Sequence, residues 1–283
     1  MAAIRPENQP PQAQTKGVAN PRLTSRVLNA MTTSFIARLR AQDQAAWFEL
    51  WETFGPVLRA QLTKWGKGRI GPETVRDLSQ ETLAALSDSI DRYDPSKGAR
   101  FSTWLLAIAK HVLGDEIDRR SAQKRGGSGV GPSSSGSAPR IGRTATLDDS
   151  WMAASSGPAP DQAYEAAMFR AKVHAALRLA EKQCDFRDFE IYRMRVLDGR
   201  SGKDVAQAMG TSEPTVSRRL ATVREVLRRR LNEVVATYSF TEDELQEPGR
   251  NGLPLDPKQA DDVTFDEAVG EIYRRSTDDR RDG

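Results

Sequence analysis

The sequence predicts an all-α protein built as two small helical domains joined by a flexible linker. Three observations predict it. Apolar residues recur every three or four positions on both sides of the chain's middle. Residues 126–160 are mostly Gly, Ser, Pro and Ala with few large apolar groups, the composition of a flexible connector. The stretch Arg200–Leu220 has the order of a short helix, a tight turn and a longer helix.

Residues 1–32, rich in Pro, Gln, Ala and Asn without periodicity, are expected to be a disordered leader. The first helical domain is expected over 33–125. A short apolar face (Phe35, Ile36, Leu39) begins it near Thr33 or Ser34. After Asp43 a second helix carries Trp47, Leu50, Trp51, Phe54, Leu58, Leu62 and Trp65, with Gly55-Pro56 expected to kink or interrupt it. Gly66, Gly68, Gly71 and Pro72 mark a loop, and a helix from about Glu73 to Ser89 follows. That helix buries Val75, Leu78, Leu83, Leu86 and Ile90 and shows Arg76, Asp77, Gln80 and Glu81 on its other side. Asp91 to Gly98 has turn chemistry, after which Ser102 is placed to cap a helix from Thr103 to about Gln123. Trp104, Leu105, Ile108, Ala109 and Val112 supply its apolar face, while Lys110, His111, Arg119 and Arg120 make the remainder basic.

The second domain is expected over 161–238. Two helices, one through Ala176 and Ala180 and one holding Phe186 to Leu197, form a platform behind the turn motif. In that motif Val205 and Met209 lie one helical turn apart, Gly210 suits the left-handed conformation that ends a helix, and Ser212 offers a capping oxygen. Pro214 is tolerated in the first turn of the next helix, whose stripe is Val216, Leu220, Val223, Leu227 and Leu231. Its other faces carry Ser217, Arg218, Arg219, Thr222, Arg224 and Arg228–Arg230. Arginine with short hydroxyl residues suits a helix in a major groove, where guanidinium binds phosphate or the paired acceptors of guanine. The segment therefore reads as a helix-turn-helix. Residues 239–283 form an acidic extension in which Thr264-Phe265-Asp266-Glu267 has the pattern of a capping box. Phe265, Ala268, Val269, Ile272 and Tyr273 make a narrow stripe, so this short helix must dock either on its own domain or on another protein. Its acidic charge could cover the arginine helix and restrain DNA binding.

Composition excludes several functions. The single cysteine, Cys184, rules out an intramolecular disulfide framework and a Cys-rich metal site. The two histidines lack partners at metal spacing, and there is no P-loop or nucleophile elbow. The expectation is a chain without catalysis, cofactor or metal. No apolar run approaches the roughly 20 residues that span a bilayer, so no membrane insertion and a cytoplasmic address are expected.

Two separated stretches then point to one family. Asp77-Leu78-Ser79-Gln80-Glu81-Thr82-Leu83, Asp91-Arg92-Tyr93-Asp94-Pro95, Phe101 to His111 and Asp118-Arg119-Arg120 resemble the second conserved region of bacterial RNA polymerase sigma factors of the sigma-70 family. The similarity is greatest to the extracytoplasmic-function group, and Ser201–Leu231 is similar to that group's fourth region. The resemblance implies core RNA polymerase and promoter DNA as partners, and leaves open an anti-sigma factor or other regulator. It places Asp77, Leu78, Gln80 and Glu81 on the polymerase clamp. It sets Tyr93, Phe101, Ser102 and Trp104 around an unstacked base of the minus-ten element, with Lys110, His111, Arg119 and Arg120 along the same DNA. His111 stands where many relatives have Asn. Ser217, Arg218 and Thr222 are expected at base edges of the minus-thirty-five element, with Ser212, Thr215, Arg219 and Arg224 beside them, chiefly toward phosphates. An ordinary helix-turn-helix regulator, or a polymerase-binding adaptor without initiation activity, are the competing readings.

Overall fold

A computed structural model describes residues 21–93, 100–126, 161–255 and 261–281. Leader residues 1–20, the turn 94–99 and the connector 127–160 lie outside the described residues. Every regular element described is helical: α1 (Pro21–Arg40), α2 (Gln44–Gly66), α3 (Pro72–Ser89), α4 (Phe101–Gly126), α5 (Gln162–Gln183), α6 (Phe186–Tyr192), α7 (Gly202–Ala208), α8 (Glu213–Tyr238), α9 (Glu242–Leu245), α10 (Glu247–Arg250) and α11 (Asp262–Arg281).

Local chemistry sets the boundaries. Asp43 caps α2 by accepting from the amides of Ala45 and Ala46, and Asp161 caps α5 through Tyr164 N at 2.8 Å. Pro72 opens α3 at a position that lacks an intrahelical acceptor for its missing N–H. α1 begins at Pro21, well before the expected Thr33, and Thr32 within it is buried. Gly55-Pro56 does not interrupt α2. The ring of Trp51 lies against Gly55, where a Cβ would come within 2.8 Å of it, so the glycine makes room for the preceding turn's indole. α4 starts at Phe101, placing Ser102 inside the first turn rather than at its cap. α11 likewise starts two residues before Thr264, with Asp261 Oδ1 accepting from Val263 N at 3.3 Å. A capping box does form at α9, in the Thr241-Glu242-Asp243-Glu244 pattern, where Thr241 and Glu244 bond each other's backbone.

α1–α4 form one bundle, with α2, α3 and α4 in mutual contact around Leu50, Phe54, Leu58, Leu78, Leu86 and Leu105. In the second body α5 and α6 lie against α8, and its stripe of Val216, Leu220, Val223, Leu227 and Leu231 is wholly buried. α6 runs into a π-helical turn, Arg193–Leu197, against which α11 packs.

The two bodies share one continuous core. α1 lies along α8, and Thr32 Oγ1 donates to the carbonyls of Ala236 (2.7 Å) and Ser239 (2.9 Å) at the end of α8. Such end carbonyls have no intrahelical donor, so the hydroxyl fills a need that every helix terminus has. Tyr238 meets Phe35 and Phe54 edge-on, at centroid distances of 5.1 and 5.0 Å. α2 and α5 also touch, with Arg178 beside Glu52 and Lys64 beside Asp161.

Candidate polymerase and nucleic-acid interfaces

The expected polymerase face is the outer side of α3. Asp77, Gln80 and Glu81 are exposed, whereas Leu78 is buried and holds the helix down from beneath. Ala84 and Asp88 continue the exposed ridge. Burial pushes the Glu81 carboxyl above its ordinary range, and the nearby acids Glu116 and Asp115 add to that. The ridge is thus a strip of exposed acidic and amide side chains along α3.

The residues expected around a captured base do come together. Tyr93 stacks on Trp104 (centroids 4.4 Å apart, planes 28° apart), and Phe101 meets Trp104 edge-on at 6.1 Å. The wall is closed, however: Phe101 is 1%, Tyr93 3% and Trp104 9% exposed. Phe240, just beyond α8, stacks on Phe101 at 5.2 Å and sets its edge against Tyr93 at 5.4 Å. Ser102 is engaged as well, donating to Glu165 of α5 at 2.9 Å, while Tyr164 donates to the Ser102 carbonyl at 3.2 Å. Arg100 bridges Glu165 and Asp243 of α9.

Along α4, Lys110 is exposed and His111 is partly covered beside Asp115. Arg119 and Arg120 both bond Glu116, each at 2.5 Å. Burial alone would raise the Glu116 pKa, but the Arg120 and Arg119 hydrogen bonds outweigh it and hold the carboxyl below its usual range. The two arginines then diverge. Arg119 is 63% exposed, whereas Arg120 also donates to Thr74 Oγ1 (2.6 Å) and so ties α4 to the start of α3. Arg119 reaches into solvent; Arg120 is largely a strut. A groove lined by Gly68, Arg69, Ile117, Arg119 and Ser121 runs beside them.

In the second body, Gly210 takes φ +61° between α7 and α8, which explains the glycine. Ser212 has the extended backbone of a cap, but its hydroxyl pairs with that of Thr215 (2.9 Å) rather than with an amide. Ser217, Arg218, Ala221 and Thr222 form an exposed strip, and Arg218 leans back on the Pro214 carbonyl and on Thr215 Oγ1. The other two arginines expected at DNA are placed differently. Arg219 is paired with Asp188 of α6. Arg224 is 14% exposed and turned inward, donating through Nε (2.9 Å) and Nη2 (2.7 Å) to Asp266 and through Nη1 (3.2 Å) to Asp262. In this structure its guanidinium is therefore engaged by two carboxylates of α11 rather than open to solvent. Arg228, one turn on, bonds Asp262 at 3.0 Å and lies over the Phe265 ring at 4.5 Å.

The residues that sequence reasoning did not single out are those that close these surfaces: Phe240, Glu165, Asp188, Asp262 and Asp266. A signal for the last pair was present. Arg224 and Arg228 are four apart and so are Asp262 and Asp266, which gives two helices matching charged rows. Among the described residues no His, Cys, Asp and Glu group is arranged to hold a metal, and no helix is long and apolar enough to cross a membrane.

Residues 44–123, which run from α2 through most of α4, match the family model for Sigma-70 region 2. The match is to the region carried on α2–α4 and does not extend to α5–α11. No curated protein matches the chain.

Proposed function

From a Sigma-70 region 2 carried on α2–α4, we propose that this chain is a promoter-specificity factor of the extracytoplasmic-function kind, without catalysis of its own. The observation that carries this reading is the pairing, in one chain, of that region with α7, the Gly210 turn and α8, whose exposed strip is Ser217, Arg218, Ala221 and Thr222. In this reading α7–α8 is a helix-turn-helix that anchors the minus-thirty-five element. The α3 ridge (Asp77, Gln80, Glu81) grips a basic helical surface of core polymerase. The aromatic wall of Tyr93, Phe101 and Trp104 receives one unstacked base. Opening a duplex costs a few kcal/mol per step, and base-on-aromatic stacking of about 1–3 kcal/mol offsets it. The connector 127–160 is long enough to let two anchors reach separate DNA elements.

The test is biochemical. The purified chain is mixed with core polymerase and passed over a sizing column, and the holoenzyme is then used to select promoters from genomic DNA for run-off transcription. Co-elution followed by transcripts from defined starts is expected. Failure to co-elute would leave only a DNA-binding regulator, and co-elution without transcripts would leave an adaptor.

A further inference from the structure

We propose that residues 239–255 and α11 act as an autoinhibitory strap that covers the aromatic wall and takes two arginines of α8 away from DNA, with Phe240 standing in for a captured base and Asp262 and Asp266 standing in for phosphates. The first half of this rests on the promoter-factor reading; the second needs only the basic helix.

At the aromatic wall, Phe240 is nearly parallel to Phe101 (22°), the geometry a stacked base would take, and it caps Tyr93 with its edge. Asp243 of α9 holds Arg100 beside that wall. Glu244 accepts from the amides of Phe240 (2.8 Å) and Thr241 (3.0 Å), which fixes the backbone that aims the phenyl ring. A buried ion pair, Lys172–Glu247 at 2.9 Å, fastens α10 to α5. At the basic helix, α11 contributes two carboxylates to two arginines and buries Phe265 and Val269 completely. Gly270 sets its depth: a Cβ there would sit 2.6 Å from the Val196 carbonyl of the π turn. The C-terminal stretches therefore cover the rings at the start of α4 and Arg224 and Arg228 on α8, while the Ser217–Thr222 strip stays exposed, so their release frees rings and guanidiniums together.

The strap is tested on the full chain without polymerase, by fluorescence anisotropy with a labelled mixed-sequence duplex and a labelled oligo-thymidylate. Gly270→Leu adds no charge, favours helix, and forces α11 off the π turn. It is expected to bind the duplex about tenfold tighter, with a salt slope steeper by about 2 as two guanidiniums return to phosphates. Asp262→Asn/Asp266→Asn should do the same. Glu267→Gln/Glu271→Gln, which removes equal charge from exposed positions of α11, should change binding by less than about twofold. Phe240→Ala should raise oligo-thymidylate affinity about fivefold or more and leave the duplex unchanged. In the wild type, saturating duplex should accelerate amide exchange over 262–276, a measurement independent of any variant's folding. Wild-type affinities in Gly270→Leu and in the Asp pair, with unchanged exchange in the wild type, would overturn the strap. Polymerase binding is scored separately. DNA gains in a chain that ignores core enzyme keep the strap and remove the promoter reading; polymerase binding without DNA gains removes the strap alone.

Discussion

Arg218 and Arg224 sit on one helix, six residues apart, and the structure gives them opposite employment. Arg218 has only weak contacts within its own first turn, so its guanidinium can be redirected to a base edge. Arg218→Ala is expected to relax minus-thirty-five preference by about 1–3 kcal/mol of discrimination while leaving stability alone, as read by binding to consensus and scrambled duplexes. Arg224→Ala leaves the part-buried Asp266 with only the Tyr192 hydroxyl and should instead lower thermal stability by about 2 kcal/mol. Glu116 supplies a pH signature. Its pKa is lowered in the folded state, so its stabilisation is present above the unfolded carboxylate pKa of about 4.3 and fades as pH falls through the lower folded value. Glu116→Gln should lower the melting temperature at neutral pH and flatten the acid limb of the melting curve below about pH 5. A mutant whose acid limb matches the wild type would show that the Arg119 and Arg120 contacts carry no net stabilisation.

Element boundaries followed mainly from local chemistry. Asp43, Asp161 and Pro72 begin helices for the reasons their residue types suggest, and Gly210 turns the chain where only a residue tolerant of positive φ is at ease. Gly210→Ala is expected to cost about 1–2 kcal/mol, with Gly210→Asn milder, in chemical denaturation. Equal stability of both variants and wild type would mean that the turn relaxes to another conformation. Where local reading faltered, a distant partner was the cause. Ser102 looked like a cap but is committed to Glu165, and Gly55-Pro56 looked like a break but accommodates the Trp51 ring. Thr264 had a capping pattern, yet the helix starts two residues before it, with Asp261 accepting from Val263 N.

At the level of the whole molecule, α1, α8 and the C-terminal segment lock the two bodies together. The Lys172–Glu247 pair is the joint most sensitive to single substitution, because removing one partner leaves the other charge buried alone. Lys172→Met should destabilise the chain by about 3–5 kcal/mol, and Lys172→Met/Glu247→Leu should recover most of that loss. A double variant no better than the single would show that Glu247 is satisfied without Lys172. In the proposed cycle this closed molecule is the resting form, and polymerase and promoter compete with the strap for the same rings and guanidiniums.

Helical periodicity, caps and the Gly210 turn determined from sequence alone that the protein is all-α and roughly where most of its longer helices lie, since these depend on neighbours three or four residues away, but not the early start of α1 or the short helices α9 and α10. The candidate residues on α3 and at the start of α4 came from the resemblance to a sigma-factor region, and those on α8 from the density of arginine and hydroxyl residues on its outer faces. Which of them face solvent was settled only by tertiary structure. Tyr93 and Phe101 are covered by a ring some 140 residues downstream, and Arg224 is neutralised by Asp266 42 residues away. Burial and charge pairing of that kind depend on how whole surfaces meet, and a local pattern carries at most the matching spacing of the two charged rows.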